Sequence, residues 1–264
     1  MKAQTGKRIY ADVVTYTFDL TFAAAGGTLE IPQNLSTSGP FELMGISHNM
    51  SSDDFFFNIY DGGSRSELFN DELPASCIAG NGPRQFIPPV SYIFPANRET
   101  RIRATNGTTI AGNTGSITLI GATLKDPESQ PGRIVKYPSR TEIKRADYFG
   151  RLAAYGVEMN FAGNDRIDAA MQIYSDAPFE AFYLMRSHTA AFDLQITDAY
   201  EGVDMFKGMV PSANVCGSAQ YPSVLPYTKV FPPAGTVLVS GVDTSGAANA
   251  GWVVLIGADL ERIN

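Results

Sequence analysis

The chain has 264 residues, of which 44% are apolar and 18% are charged, and its formal net charge is −7. This length suits one large domain or two of ordinary size, and the apolar content is high enough for a packed core, which argues against a disordered chain. The acidic balance disfavours nucleic acid as a partner of the whole surface. No apolar run reaches the roughly 18–20 residues that cross a bilayer, so we expect no membrane partner. The N-terminus has no apolar stretch of signal-peptide length, which leads us to expect synthesis in a cytoplasm without secretion.

Short runs rich in β-branched and aromatic residues alternate with Gly, Pro and Asn along the chain, a pattern typical of strands joined by turns. The segment Glu67–Pro89 contains many breaks and predicts a Greek-key crossing between two sheets. The best helix candidate is Glu142–Leu152. The predicted strands are Val13–Phe22, Phe41–Ser47, Phe55–Tyr60, Ser91–Phe94, Thr100–Thr105 and Ser116–Thr123, followed by Gly156–Phe161, Phe179–Arg186, Phe192–Thr197, Val237–Val242 and Trp252–Asp259.

The last predicted strand of each half carries nearly the same six residues, LIGATL at 119–124 and LIGADL at 255–260. Pro40-Phe41-Glu42 likewise recurs at 178–180, and Phe94-Pro95 recurs at 231–232. The offsets between these pairs lie between 136 and 138 residues, and Tyr16 and Phe22 match Tyr155 and Phe161 at 139. This small drift indicates a tandem duplication with small loop insertions. The Gly of each motif predicts a bulge or a close backbone approach, and replacing it should destabilise mainly its own repeat.

The duplication divides the chain into an N-terminal arm (1–11), a first sandwich (12–126), a basic Pro-rich connector (127–149) and a second sandwich (150–264). Many short strands within about 115 residues indicate an all-β fold built as a sandwich or barrel. We predict two tandem jelly-roll-like β-sandwich domains. An immunoglobulin-like sandwich is the alternative, although its Cys–Trp–Cys spacing is missing.

The sequence holds few residues that could carry catalysis or bind a metal. His48 and His188 both follow a serine after the Pro-Phe-Glu strand of their repeat, which favours a structural role for both. Asp53, Asp54 and Asp61 could contribute to a hard-cation site, but they lack an EF-hand pattern. We therefore predict a protein that is not an enzyme and has no cofactor or metal site.

The cysteines and the tyrosines allow two further predictions. Cys77 and Cys216 are too few for a disulfide framework and are expected to be buried free thiols. Several tyrosines outside the clearest strands could bind sugars or lie in subunit interfaces, where aromatic residues are enriched. These tyrosines are Tyr10, Tyr137, Tyr148 and Tyr221.

Basic residues are concentrated in the connector and in the N-terminal arm. Three interpretations of the connector are open. It is a solvated linker, or it contacts an acidic surface of a neighbouring subunit, or, least favoured, it binds nucleic acid. The candidate interface residues are Lys7, Arg8, Arg133, Lys136, Arg140, Lys144, Arg145 and Arg151.

Through the two repeats that end in SITLIGATLKD (116–126) and WVVLIGADLER (252–262), the chain resembles the tandem (double) jelly-roll virion structural proteins of bacteriophages. The resemblance implies a capsid coat protein or a decoration or cement protein, which forms or decorates an icosahedral shell. It further implies a homotrimer that contacts itself and other capsid proteins, is made in the host cytoplasm and resides in the virion. A tail or spike protein, or a tandem carbohydrate-binding module that recognises a host glycan, is the alternative. A cupin-type enzyme is disfavoured because each repeat has one histidine.

Overall fold

The computed structural model describes residues 10–35, 39–62, 66–82, 84–109, 111–124, 148–188 and 192–262. Strands dominate both halves, and the two helices of the described part have four residues each, too short to span a membrane. The elements of the first half are β1 (Tyr10–Thr21), β2 (Thr28–Asn34), β3 (Phe41–His48), β4 (Phe55–Asp61), β5 (Ser66–Glu67), β6 (Leu73–Pro74), α1 (Ala75–Ile78), β7 (Gly80–Asn81), β8 (Tyr92–Phe94), β9 (Glu99–Asn106) and β10 (Thr114–Leu124). Those of the second half are β11 (Tyr148–Phe161), β12 (Arg166–Gln172), β13 (Phe179–His188), β14 (Phe192–Asp198), β15 (Val203–Asp204), β16 (Val210–Pro211), α2 (Ser212–Val215), β17 (Ser223–Phe231), β18 (Thr236–Asp243) and β19 (Asn249–Arg262).

The first half forms two facing sheets with jelly-roll connections. One sheet has the order β1-β10-β3, with β7 and β8 both paired to β3. The other has the order β2-β9-β4, with β5 and β6 both paired to β4. Successive long strands change sheet and the last strand lies beside the first, which is the double Greek key of a jelly roll. The fold predicted from the sequence is therefore confirmed, and the immunoglobulin-like alternative is not.

The second half repeats this order strand by strand. Its sheets are β11-β19-β13-β17 and β12-β18-β14, the latter with β15 and β16 on β14. Even the short parallel pairing of Ser47 with Gly80 has its equivalent, an isolated parallel bridge between Met185 and Gly217. The duplication is thus present in the fold itself, while the domain boundaries inferred from the sequence stay a prediction.

Inward-facing side chains explain why each half folds as a sandwich. From residue 13 to residue 21 of β1, exposed residues alternate with half-buried or buried ones, and Phe18 and Leu20 are the buried pair. This two-residue period places one face of the strand in the core and the other outside.

The LIGA motif confirms the predicted bulge. β10 and β19 are the last strands of their jelly rolls, and each pairs with a strand that carries one extra residue. A Cβ atom on Gly121 would lie 2.0 Å from the carbonyl oxygen of Glu42, and one on Gly257 would lie 1.9 Å from that of Glu180. Only glycine allows the backbones to approach this closely.

The predicted crossing between the two sheets is also confirmed. The segment Glu67–Pro89 crosses from one sheet to the other, since β6 pairs with β4 and β7 pairs with β3. Strands β8 and β17 end at Phe94 and Phe231, immediately before Pro95 and Pro232.

The predicted helix Glu142–Leu152 is wrong for its described part. Residues 148–152 form the start of β11 and pair with the end of β19, so long-range pairing overrides the local preference. Residues 142–147 lie outside the described residues. The sequence pattern does not predict strands β2, β12 and β17. β2 and β12 lie at sheet edges, where most of their residues are exposed or half-buried. β2 also contains Pro32 and β17 contains Pro226, which weakens the strand pattern.

Candidate functional site

The first jelly roll packs against the outer face of the sheet β11-β19-β13. Leu152 and Ala154 of β11, together with Val254 of β19, belong to the same buried cluster as the core of the first jelly roll. A Cβ atom on Gly156 would lie 2.6 Å from Cδ2 of Leu73, which is fully buried. We call this packing the inter-roll contact. Because the core of the second jelly roll covers the inner face of the same sheet, β19 is buried along most of its length.

Hydrogen bonds and rings add specificity to the inter-roll contact. The Asn70 amide donates to the Ala154 carbonyl oxygen at 3.0 Å, and Oδ1 of Asn70 accepts from the Gly156 amide at 3.2 Å. Asn70 thus satisfies backbone groups along the edge of β11 as a neighbouring strand would. The Phe56 and Trp252 rings lie 5.8 Å apart across the same contact.

The duplication supplies a second version of each half of this contact, and no described part of the chain packs on either in the way seen at the inter-roll contact. Offsets of 136 to 139 residues relate Ala154, Gly156 and Val254 to Thr15, Thr17 and Thr118 on the outer face of β1 and β10. We call this outer face, which also carries Val13 and Ser47, the open face. Thr15 and Thr17 are exposed, and Val13 is 83% exposed.

The segment 203–215 of the second jelly roll is equivalent to the covering segment 66–78 of the first, and we call it the open edge. Phe206 and Val210 correspond to Phe69 and Leu73 at an offset of 137. Phe69 is 1% exposed and Leu73 is fully buried, whereas Phe206 and Val210 are partly exposed and Val203 is 52% exposed. The chain therefore exposes one more face and one more edge of the kinds that form its internal contact.

Most of the basic residues predicted to form an interface cannot be placed. Lys7, Arg8, Arg133, Lys136, Arg140, Lys144 and Arg145 lie outside the described residues. Arg151 is described and lies on β11, directly opposite Asp259 of β19. Its Nη2 is 3.5 Å from Oδ2 of Asp259, with the arginine side chain 41% exposed and the aspartate 4% exposed.

Asp259 and Arg151 line a cavity of about 260 Å³ between the two jelly rolls. Glu67 and Asn70 contribute from the first jelly roll, while Tyr155 and Ser175 contribute from the second. The Tyr155 hydroxyl donates to Oδ1 of Asp259 at 3.1 Å. Desolvation raises the pKa of Asp259 to about 6, although Arg151 and the hydrogen bonds from Tyr155 and Ser175 act in the opposite direction.

The Asp259 network is the one place where the echoed motif differs, because the first copy has Thr123 at this position. Both residues are buried, at 3% and 2% exposure. Desolvation also raises the pKa of Glu67, whose carboxylate accepts a hydrogen bond from Asn58 Nδ2 at 3.0 Å. The cavity therefore combines a carboxyl group from each jelly roll with one guanidinium.

His48 and His188 are not equivalent, because His48 pairs with Ile117 while His188 pairs with Gly251, the counterpart of Gly115. By register, the counterpart of His48 is Arg186, which corrects the symmetric pair inferred from the sequence.

His48 is buried beside a single carboxylate. Its Nε2 lies 3.6 Å from Asp53 Oδ1, and burial lowers its pKa, which favours the neutral imidazole at pH 7. Asp54 accepts a hydrogen bond from the Thr109 hydroxyl, and Asp61 is buried. Among the described residues, no three His, Cys, Asp or Glu side chains are grouped as a metal site.

Cys77 is a buried free thiol, as expected, whereas Cys216 is only partly buried. Of the tyrosines considered for sugar binding, Tyr221 is 62% exposed and the Arg84 guanidinium lies 4.8 Å from its ring centroid. Tyr10 and Tyr148 lie at the starts of β1 and β11, and Tyr137 lies outside the described residues.

Comparison with known proteins gives similarity to solved structures alone. No family model matches the chain, and no curated protein matches it. The chain is similar to the STIV MCP, a major capsid protein, with 14% identity, coverage of 94% of this chain and 97% of that one, and a TM-score of 0.44.

Two further solved structures are an enzyme and a viral capsid protein. N-glycanase F shares 10% identity, with coverage of 94% and 96% and a TM-score of 0.40. The VP2 subviral particle of infectious bursal disease virus shares 12% identity, with coverage of 97% and 73% and a TM-score of 0.23. All three scores are below 0.5, and the jelly-roll assignment accordingly rests on the strand pairing of the chain itself.

The residues that differ between the two copies indicate which outer face is covered. Val13, Thr15 and Thr17 of the first copy are replaced by Leu152, Ala154 and Gly156 in the second, and Thr118 is replaced by Val254. Loss of polar side chains from one face of a strand is the signal that this face is covered. The offsets between the two copies are sufficient to detect this loss from the sequence.

Proposed function

We propose that the protein is a structural protein of a virus particle, specifically of a phage, and that it forms or decorates the icosahedral shell through extended subunit interfaces. The observation that carries this proposal is the unmatched open face and open edge of the duplicated jelly roll. Such a protein acts through large complementary surfaces and needs no catalytic pocket.

The open edge of one molecule fits the open face of another because both have counterparts that already pack together within the chain. Leu73 contacts Gly156 internally, and the equivalent residues, Val210 and Thr17, are available for a contact between chains. The open face is richer in threonine than its internal counterpart, as suits a contact formed by separately folded subunits. A head-to-tail contact of this kind is heterologous, so it closes into a ring or continues as an open assembly.

We propose a homotrimer as the closed form. Three chains would place six jelly rolls in one ring, in which internal and intermolecular contacts alternate. The partners would be further copies of this chain and other capsid proteins, and the protein would reside in the virion after synthesis in the host cytoplasm.

Electron microscopy and native mass spectrometry of the purified protein test this assembly. The wild type is expected to form trimers or larger shells, and shells formed without other proteins would favour a coat over a decoration protein. Val210→Asp places a charge in the intermolecular contact and spares the internal one, so it should yield monomers. Leu238→Asp is the matched control: Leu238 is 41% exposed on β18, and its counterpart Arg101 lies outside the inter-roll contact. Assembly of the Val210 variant at the wild-type level would contradict the proposal.

The basic connector and arm are proposed to set the register against acidic surfaces of neighbouring subunits. Neutralising Arg140, Lys144 and Arg145 together should weaken assembly and reduce its dependence on salt, because screened charge pairs lose most of their effect at high ionic strength. Light scattering of the assembled protein between low and high salt measures this effect. Unchanged assembly of the triple variant at every ionic strength would show that these basic residues of the connector do not contribute to assembly.

The alternative function, a tail or spike protein or a carbohydrate-binding module, is favoured by one observation, the exposed ring of Tyr221 beside Arg84. It predicts binding on a glycan array that Tyr221→Ala abolishes. Glycan binding by a protein that stays monomeric would favour this alternative over the shell.

A further inference from the structure

Two segments in equivalent positions of the two jelly rolls lie next to each other in the chain. They are 84–89 and 221–226, which an offset of 137 residues relates, and we call them the paired loops. Strand pairing supports the equivalence. Phe86 forms a bridge to β3, and its counterpart Ser223 pairs with β13, the strand equivalent to β3.

Counterpart residues of the paired loops contact each other. The guanidinium carbon of Arg84 lies 4.8 Å from the ring centroid of Tyr221, its counterpart. Pro89 and its counterpart Pro226 line one cavity of about 100 Å³ between the jelly rolls. The paired loops therefore meet through the same positions of the repeat.

Other contacts between the jelly rolls join different positions of the repeat. Asn70 is bonded to Ala154, and the Phe56 ring packs near Trp252, but the offset of the duplication relates neither pair. A rotation that carries one jelly roll onto the next displaces each point in proportion to its distance from the rotation axis. Counterpart residues that touch each other consequently lie near this axis.

The same rotation is repeated around the ring of the proposed trimer. For six evenly spaced jelly rolls, the distance between equivalent points of neighbours equals their distance from the axis. The separation of 4.8 Å between the Arg84 guanidinium and the Tyr221 ring thus places these side chains within a side-chain length of the axis. Six paired loops, two from each chain, would converge there.

The exposed residues of the paired loops suit a contact among copies of the same chain. Ile87 and its counterpart Val224 are 59% and 63% exposed. Arg84 is the one charged residue in the two segments, which limits repulsion between copies. Pro89 shares its cavity with Val224, and the equivalent neighbours between chains are Pro226 of one chain and Ile87 of the next.

We propose that the paired loops form the axial contact of the trimer, in which Ile87 and Val224 of three chains close an apolar ring around the axis. The partner at this surface is a second and a third copy of the chain. Arg84 and Tyr221 would alternate around the same axis, so each tyrosine ring would have an arginine on either side. The proposal rests on the proposed trimer and adds which surface lies at its axis.

Cross-linking of single cysteine variants with a short bismaleimide tests this position directly. Val224→Cys and Ile87→Cys should each give covalent dimers, because the same residue of neighbouring chains comes close together only near the axis. Leu238 is 41% exposed on β18, and Leu238→Cys is the control. It should give roughly tenfold less dimer, since the effective concentration of the second thiol is lower. The wild type, which keeps Cys77 and Cys216, gives the background.

The double variant Ile87→Asp/Val224→Asp tests the apolar character of the axis. Native mass spectrometry should show a shift from trimer to monomer, because six carboxylates would meet there. Ile87→Asn/Val224→Asn has nearly the same shape without the charge and should cause a smaller shift. Thermal unfolding of the monomer should change little in both double variants, since both positions are exposed.

The outcomes separate the axial contact from the shell function. A wild type that forms trimers, together with cross-linking through both cysteine variants and dissociation by the aspartates, would support the axial contact. Trimers that do not cross-link through these cysteines, or that tolerate the aspartates, would overturn the axial contact and leave the shell function standing. A wild type that stays monomeric would overturn both.

Discussion

At the scale of single residues, the glycines of the two LIGA motifs have the clearest structural role. Gly121 and Gly257 each lie where a carbonyl oxygen of the neighbouring strand comes within about 2 Å of a Cβ position. Each also lies beside a register shift that carries one extra residue, Met44 in the first copy and Phe182 in the second. The bulge is thus a duplicated feature of the fold.

Replacing either glycine with valine should lower the free energy of unfolding by roughly 2–4 kcal/mol, because the backbones must separate to admit the side chain. Thermal unfolding followed by circular dichroism measures the loss. Thr17→Val, on the exposed face of the neighbouring strand, is the control and should change stability little. Wild-type stability of Gly121→Val and Gly257→Val would show that the bulge tolerates a side chain.

The sequence was sufficient to predict these glycines but not the buried polar residues around them. Glu42 and Glu180 match between the two copies and are 2% and 1% exposed. A glutamate that recurs in both copies is, however, equally consistent with a position on the surface. Asp259 was visible only as the one mismatch of the motif. Its partners Arg151, Tyr155 and Ser175 are brought to it by strand pairing and by a loop distant in sequence, which no local pattern encodes.

At the scale of elements, the two copies of the covering segment have opposite environments. In the first, 66–78, Phe69 and Leu73 are buried, whereas the equivalent Phe206 and Val210 of the second, 203–215, are partly exposed. The long strands could be predicted because a two-residue period marks them. The edge strands β2 and β12 could not, since both their faces are largely polar or half-buried.

Asn70 is the residue of the segment 66–78 that forms hydrogen bonds with the edge of β11. Asn70→Ala should weaken the inter-roll contact by about 1–2 kcal/mol, because the Gly156 amide loses its acceptor. Urea unfolding measures the change. Its counterpart Lys207 is exposed, so Lys207→Ala is the matched control and should leave stability unchanged. Equal effects of the two variants would contradict the role given to Asn70.

At the scale of the whole molecule, the inter-roll contact changes one expectation drawn from the sequence. The duplication suggested that damage to one repeat would affect the other little. One buried cluster, however, contains residues of both jelly rolls, including Leu152 and Ile256 of the second. The two halves are therefore expected to unfold in a single transition, which the melting curves of the glycine variants will also report.

We expect a second copy of the chain to repeat the internal contact through the open face and the open edge. A disulfide tests it directly, because the internal neighbours Gly156 and Leu73 correspond to Thr17 and Val210. The double variant Thr17→Cys/Val210→Cys, oxidised after assembly, should give covalent dimers and trimers on a non-reducing gel. Each single variant should remain monomeric on the same gel. A double variant that assembles without cross-linking, or that stays monomeric, would contradict the head-to-tail contact.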